Sequence, residues 1–473
     1  MGRETQTWAK SVSTKSADEP LRMAQATTAS EDRPALAHDL MDAILARDNL
    51  NKAYKKVKAN KGAAGVDGMT VKDMSSWLKA HKDDLLERLR NGNYHPQAVR
   101  AVDIPKPDGS MRRLGIPTAI DRLIQQAILQ ILQEIYDPSF SESSYGFRPK
   151  RSAHQALQAG ANYVAEGKGI VVDMDLEKFF DRVNHDKLMG LLAQTIADKV
   201  LLKLIRGYLE AGMMVGGITS PRQEGTPQGG PLSPLLANVL LHPLDAELER
   251  RGHRFCRYAD DCNIYVKSIK AGERVMKSIS QFIERKLKLK VNQTKSAVAK
   301  VEERKFLGYQ ITQSGKLWLS APSIAKLKIR VKAITKRNRG VKLERVIDEL
   351  KSYLTGWMAY YRLIATDYLL KRLDMWIRRK IRCYRLKQCK RRKGLVRFLI
   401  SRGVTARQAR ELNSSGKGWW RLSQTPQANI AMTNDWCREI GLVSLAERYK
   451  ALNSFKKPPD TMSMSGGVGG RQR

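Results

Sequence analysis

The run Arg254-Phe255-Cys256-Arg257-Tyr258-Ala259-Asp260-Asp261-Cys262-Asn263-Ile264-Tyr265-Val266 constrains this chain more than any other segment. Two short β-prone stretches flank two adjacent carboxylates, which predicts a tight hairpin presenting both acids at its tip. Turns favour aspartate for its local hydrogen bonds, so an Asp-Asp pair by itself is an ordinary turn. The same pair also suits a hard divalent cation, which takes oxygen ligands; phosphoryl-transfer sites supply one or two carboxylates beside the substrate phosphates. Joined by an acid from another strand, such a pair can hold two ions for nucleotidyl transfer.

Gly169-Ile170-Val171-Val172-Asp173-Met174-Asp175 supplies candidates for that third acid. It begins as a buried-looking strand and turns acidic at its C-terminal end. Strand alternation places Asp173 and Asp175 on one face, so spacing does not choose between them.

Charge restricts the partners. Lys and Arg number 85 against 47 Asp and Glu, a net charge of +38 over 473 residues. An excess this large predicts a polyanionic partner bound through many phosphate contacts with counterion release. The length allows about three domains, and 42% hydrophobic residues are enough for their cores. The five cysteines are scattered and form no CxxC pair, so no zinc module is expected and a reducing cytosol is the natural home. No apolar run is long enough to cross a membrane. The N-terminus has no apolar signal core, and Gln6 breaks the myristoylation pattern after Met1-Gly2.

Four further segments carry chemistry-bearing residues. Ile104-Pro105-Lys106-Pro107-Asp108-Gly109-Ser110-Met111-Arg112 reads as two strands about an Asp-Gly hairpin turn. Gly225-Thr226-Pro227-Gln228-Gly229-Gly230-Pro231-Leu232-Ser233-Pro234 is a loop whose glycines let backbone approach a ligand. Val291-Asn292-Gln293-Thr294-Lys295 and Phe306-Leu307-Gly308-Tyr309 follow. Taken in order from Lys106 to Tyr309, together with Tyr258 to Asp261 and with Asp175 followed five residues later by Phe180, these segments resemble the motifs of reverse transcriptases. The resemblance implies that Asp175, Asp260 and Asp261 are catalytic and hold two Mg²⁺ ions, with Mn²⁺ a possible substitute. Asp173 becomes a structural neighbour. Phe180 becomes a steric gate against the ribose 2′-OH, the atom that separates RNA from DNA building blocks. Lys106 and Arg112 would grip the triphosphate, Gln228 would contact the nascent base pair, and Lys295 would protonate the leaving pyrophosphate.

The flanks narrow the resemblance. Ile44 to Leu50, Lys61 to Gly68, Asp121 to Ala127 and Tyr145-Gly146-Phe147-Arg148-Pro149 are similar to the N-terminal parts of group II intron-encoded proteins. Tyr353-Leu354-Thr355-Gly356-Trp357-Met358-Ala359-Tyr360-Tyr361-Arg362 is similar to their maturase segment. The likeness is greatest to the compact bacterial class without an endonuclease module. It implies an RNA-directed DNA polymerase that copies intron RNA during retrohoming, and a maturase that binds that RNA and assists its splicing. The implied partners are the intron RNA, a DNA target and primer, and deoxynucleoside triphosphates. The implied location is the cytoplasm, at the nucleoid as a ribonucleoprotein. The alternative is a freestanding enzyme of this type recruited to host defence or repair.

The expected fold is α+β, a right-hand polymerase with fingers and palm, an α-helical thumb or maturase domain, and a C-terminal basic helical region. The expected division is a disordered tail over 1–36, N-terminal extension and fingers over 37–168, and palm over 169–315. Thumb and maturase would cover 316–395, a nucleic-acid-binding helical region 396–457, and a second disordered tail 458–473. Ile324, Leu327, Val331 and Ile334 recur at helical spacing, as do Ile347, Leu350, Leu354, Trp357 and Tyr361. The stretch Lys371 to Lys393 holds twelve Lys and Arg against one acid, Asp374. Arg378, Arg379, Lys380, Arg382, Arg385, Lys387, Lys390, Arg391 and Arg392 are therefore candidate RNA contacts, with Trp376 and Tyr384 interleaved for stacking.

Overall fold

The computed structural model describes residues 39–105, 111–215, 218–220, 224–226 and 229–454. Lys106 and Gln228 lie outside the described residues, as do both terminal tails.

A four-stranded antiparallel sheet lies at the centre, in the order Arg254–Tyr258, Asp261–Val266, Ile170–Met174, Ala297–Lys300. Alternation divides its side chains between two cores. Val172, Met174, Phe255, Cys262 and Ile264 face one way and join a core with the helices Ser233–Arg250 and Ile269–Phe282. Val171, Cys256 and Tyr265 face the other way and join a core with the helix Ala153–Ala165 and the C-terminal helices. Each central strand is thus apolar on both faces, which explains its nearly continuous hydrophobic run.

A second sheet pairs Val99–Pro105 with Met111–Ile116 in antiparallel register, Ile104 opposite Arg112. The turn expected at Asp108-Gly109 falls outside the described residues. A third sheet holds Lys305–Phe306, Tyr309–Ile311 and Leu317–Leu319. Its Leu307-Gly308 turn has φ of 49° and 81°, the left-handed pair that a two-residue hairpin needs.

Beyond the sheets, Ala321–Ile334, Leu343–Tyr360 and Tyr368–Gln388 are helices. The stripe Ile347, Leu350, Leu354 and Trp357 is buried in the same core as Leu370, Leu373, Ile377 and Ile381. The basic stretch Lys371 to Lys393 is split between two helices. The helix stops at Gln388, Lys390 takes a left-handed φ of 49°, and a new helix starts at Arg392. The densest run of cations, Lys390 to Lys393, forms an exposed corner where like charges can separate into solvent.

Candidate active site

The predicted acids meet at one end of the central sheet. Tyr258 pairs with Asp261 across the turn Ala259-Asp260, so the hairpin tip carries both carboxylates. In the neighbouring pair of strands Met174 stands opposite Cys262 and Asp173 opposite Asn263. Continuing that register by one residue puts Asp175 opposite Asp261. Asp173, Asp175 and Asp261 therefore share the face that carries Val171 and Tyr265, and Asp260 stands in the turn within electrostatic reach of Asp175.

Their charge is poorly compensated. Burial comes first, then Asp173, Asp260 and Asp175 nearby, and together they push the Asp261 carboxyl up to about 7. Asp260 is also raised, by burial and then by Asp175, against the opposing charges of Arg112 and Lys295. Asp173 is raised chiefly by burial, and Arg304 opposes the rise.

Partners separate the two strand acids that spacing left equivalent. Arg304 Nε donates to Asp173 Oδ2 at 2.8 Å, and its Nη2 donates to the Lys295 carbonyl at 2.6 Å. Asp173 is thus committed to an arginine that also holds the Lys295 loop. Asp175 has Lys295 Nζ at 3.6 Å, a looser and more exposed pairing. The Asp175 main chain is fixed from the same loop: its N–H donates to Ser296 Oγ, and its carbonyl accepts from Asn292 N–H. Asn292 Oδ1 in turn accepts from Thr294 Oγ1 and the Lys295 N–H.

Phe180 sits half-buried in a short 3₁₀ turn, Phe179–Asp181, edge-on to Phe179 at 5.1 Å. Its carbonyl accepts from Thr226 N–H at 2.7 Å, which ties the turn to the Gly225-Thr226 segment. Gly229 has φ 132°, and a Cβ there would stand 2.4 Å from the Gly115 carbonyl oxygen. Only glycine allows that loop to lie against the Met111–Ile116 strand. The Leu307-Gly308 turn is anchored to the helical region: Ser320 Oγ and Ser323 Oγ each donate to the Gly308 carbonyl at 2.8 Å, and Tyr360 OH donates to that of Leu307.

Among the described residues, no group of three or more His, Cys, Asp and Glu side chains is gathered to hold a metal ion as it stands. The chemistry of the acids still fits one. They offer only oxygen donors, and their unbalanced negative charge suits a hard divalent cation.

The candidate RNA contacts divide in two. Arg379 lies 3.9 Å above the Trp420 ring and donates to the Trp420 carbonyl. Lys380 lies over the rings of Trp420 and Trp376, and burial lowers its pKa. Arg382 donates to the Met432 carbonyl and to Asn429, and Arg385 stacks on Phe398 at 4.3 Å. Lys387, Lys390, Arg391 and Arg392 are exposed instead. Lys387 and Lys390 line a cavity of about 680 Å³ together with Arg337, Lys342 and Arg402.

Several residues that organise these sites were not singled out from sequence: Arg257, Asp245, Asn238 and Arg304. A signal was present for two of them. Asn238 and Asp245 lie within an apolar helix beside Leu241, Leu244 and Leu248, where a buried polar group needs a partner.

Comparison with known proteins agrees with the order of these motifs. Residues 104–311 match the reverse transcriptase (RNA-dependent DNA polymerase) family. Residues 324–402 match the group II intron maturase-specific domain. Protein YkfC of Escherichia coli strain K12 is 31% identical over 327 residues, covering 60% of this chain and 86% of that protein. The group II intron-encoded protein LtrA of Lactococcus lactis subsp. cremoris is 31% identical over 340 residues, 57% of this chain and 55% of that protein. The chain thus spans about half the length of LtrA. A solved structure of a partial Cas6-RT-Cas1–Cas2 complex is 26% identical, covering 52% of this chain and 42% of that one, with a TM-score of 0.34.

Proposed function

Because the chain belongs to the reverse transcriptases that carry a group II intron maturase domain, we propose that it copies intron RNA into DNA and holds that RNA for splicing. The observation that carries the polymerase half is the gathering of Asp175, Asp260 and Asp261 at one sheet end with too little positive charge to balance them.

In this reading those three carboxylates hold two Mg²⁺ ions. Bound there, the ions supply a lowered pKa at the primer 3′-OH and a counter-charge for the triphosphate and leaving pyrophosphate. The chain's own groups do the rest. Arg112, in electrostatic reach of Asp260, neutralises phosphate oxygens. Lys106 and Gln228 take the triphosphate and base-pair roles that the family pattern assigns them. Lys295, held by the Asn292 turn and by Arg304, moves a proton to the pyrophosphate oxygen. Phe180 blocks the 2′ position of the incoming sugar, its ring seated on Phe179.

For the maturase half, we assign RNA contact to the exposed cations Lys387, Lys390, Arg391 and Arg392. Arg379, Lys380, Arg382 and Arg385 build the surface that presents them. Arg378 stands half-buried on the same helix. We place the domain boundaries at 36, 168, 315, 395 and 457.

The test is primer extension on an RNA template with each nucleotide set separately. The reading expects incorporation of deoxynucleotides that depends on template and divalent cation, and a Phe180→Ala protein that admits ribonucleotides. Extension without template, or sugar selectivity unchanged in Phe180→Ala, contradicts it.

A further inference from the structure

The catalytic hairpin carries a conformational cost that the sequence places on the wrong residue type. Ala259, the first residue of the turn, has φ 60°. Two-residue hairpin turns reserve that left-handed position for glycine, asparagine or aspartate, because a Cβ is disfavoured there. Such a conformation persists only where the surroundings over-determine it.

Arg257 supplies the surroundings. Its side chain is 0% exposed, as is that of Asp245. The guanidinium has five N–H donors, and all five find acceptors. Nε and Nη2 donate to the two carboxylate oxygens of Asp245 at 2.7 and 2.5 Å. Nη2 also donates to Ser144 Oγ at 2.8 Å, and Nη1 to Asn238 Oδ1 at 3.0 Å. The remaining Nη1 bond, 2.9 Å, goes to the carbonyl of Ala259 itself. Asn238 extends the frame, donating from Nδ2 to the Gly146 carbonyl at 2.9 Å. Gly146 lies flat under the turn: a Cβ there would stand 2.3 Å from the Ala259 nitrogen.

A fully buried ion pair gains little stability over an apolar pair of the same volume. Its value here is geometric. It joins the Ser233–Arg250 helix, the Ser144–Gly146 segment and the acid-bearing turn at one rigid fork.

We infer that Arg257 is a positioning residue: by locking Ala259 in the left-handed conformation it sets where the Asp260 and Asp261 carboxylates stand. This rests on the reading of those two acids as catalytic. Lysine cannot replace it, since one ammonium cannot reach Asp245 and the Ala259 carbonyl together.

The experiment compares full-length Arg257→Lys, Arg257→Lys/Ala259→Gly and Ser144→Ala proteins. Three quantities are read: amide hydrogen exchange over 258–261 without metal, thermal midpoint, and kcat and KM for deoxynucleotide per active site. Arg257→Lys is expected to speed exchange at the turn and to lower kcat about tenfold to a hundredfold, with KM for nucleotide nearly constant. Glycine at 259 removes the strain that the fork holds down, so the double variant regains several-fold of that kcat. Ser144→Ala removes one acceptor of Arg257 but leaves the Nη1 bond to Ala259, so it should lower the thermal midpoint and change kcat and turn exchange less than Arg257→Lys does. If Arg257→Lys does not fold, Asn238→Ala keeps the ion pair while removing the Gly146 link, and shows the same changes in smaller measure. Parental kcat and parental turn exchange in Arg257→Lys, or in Asn238→Ala as its substitute, overturns the inference. So does a kcat loss that glycine at 259 leaves untouched. Activity in Asp260→Asn would instead overturn the reading of the acids, and the exchange data would still report on the clamp.

Discussion

Two regions hold dense charge of one sign, and they handle it in opposite ways. At the sheet end, Asp260 and Asp261 are half-buried beside other acids with few cations near them, and their carboxyls are raised. On the Tyr368–Gln388 helix, Arg379, Lys380, Arg382 and Arg385 are matched to rings and carbonyls of later segments. Asp374, the one acid in that stretch, caps the Leu445–Ser454 helix through the N–H groups of Leu445 and Ala446. The lesson is that density of charge does not mark a ligand site. In the proposed reading, the ligand sites are where charge is left with few internal partners. Exposed Lys387 and Lys390 fall on the acids' side of that division, Arg379 on the other.

The comparison is tested most severely within the sheet end itself. Asp175→Asn should lower templated extension by about a thousandfold or more. Asp173→Asn should cost less than about tenfold, because its carboxylate serves Arg304. Equal losses in the two variants, measured as kcat on matched preparations, would erase the distinction between them.

The raised Asp261 carboxyl makes a pH prediction. Its folded pKa, about 7, lies above the ordinary value of 3.8. The folded state therefore holds the proton more tightly, and this contribution to stability is complete below pH 3.8 and lost as pH rises through 7. Asp261→Asn abolishes that loss. In metal-free buffer at pH 8 it should unfold with roughly 1–3 kcal/mol more stability than the parent, and the gap should close near pH 4. Denaturant melts at the two pH values check this, and a less stable variant at pH 8 would contradict it.

The inward cations should behave as structure. Arg379→Ala should cost about 1–2 kcal/mol in chemical denaturation, through the lost Trp420 stacking and carbonyl bond. Its RNA affinity should stay close to parental once folded. The smallest effect belongs to the exposed pair. Lys387→Ala with Lys390→Ala should weaken RNA binding several-fold and reduce the slope of log K against log salt by about 1 to 2. An unchanged slope, with stability lost instead, would place those lysines with Arg379.

Much of this was legible from residues alone, and the exceptions share a cause. The hairpin about Ala259-Asp260 and the strand ending near Asp175 follow from alternating patterns within a dozen residues. The helical stripes at Leu327 and Leu350 are equally local. What could not be read depends on partners far along the chain. Asp173 and Asp175 look equivalent until Arg304 arrives from 131 positions away. Arg257 reads as one more strand residue until Asp245 and Asn238 close around it. The basic stretch shows its charges, while the rings and carbonyls that absorb four of them come from Phe398, Trp420 and Met432. Local pattern carries the backbone; charge compensation is a tertiary property.

The measurement that bears most directly on this account is RNA-templated extension and RNA binding in the same preparation of Asp260→Asn. The account predicts extension reduced by about a thousandfold or more, with RNA affinity and thermal midpoint at or above the parent's. Full extension in that protein, or a loss of extension matched by an equal loss of RNA binding, would contradict the claim that the uncompensated acids are the polymerase site.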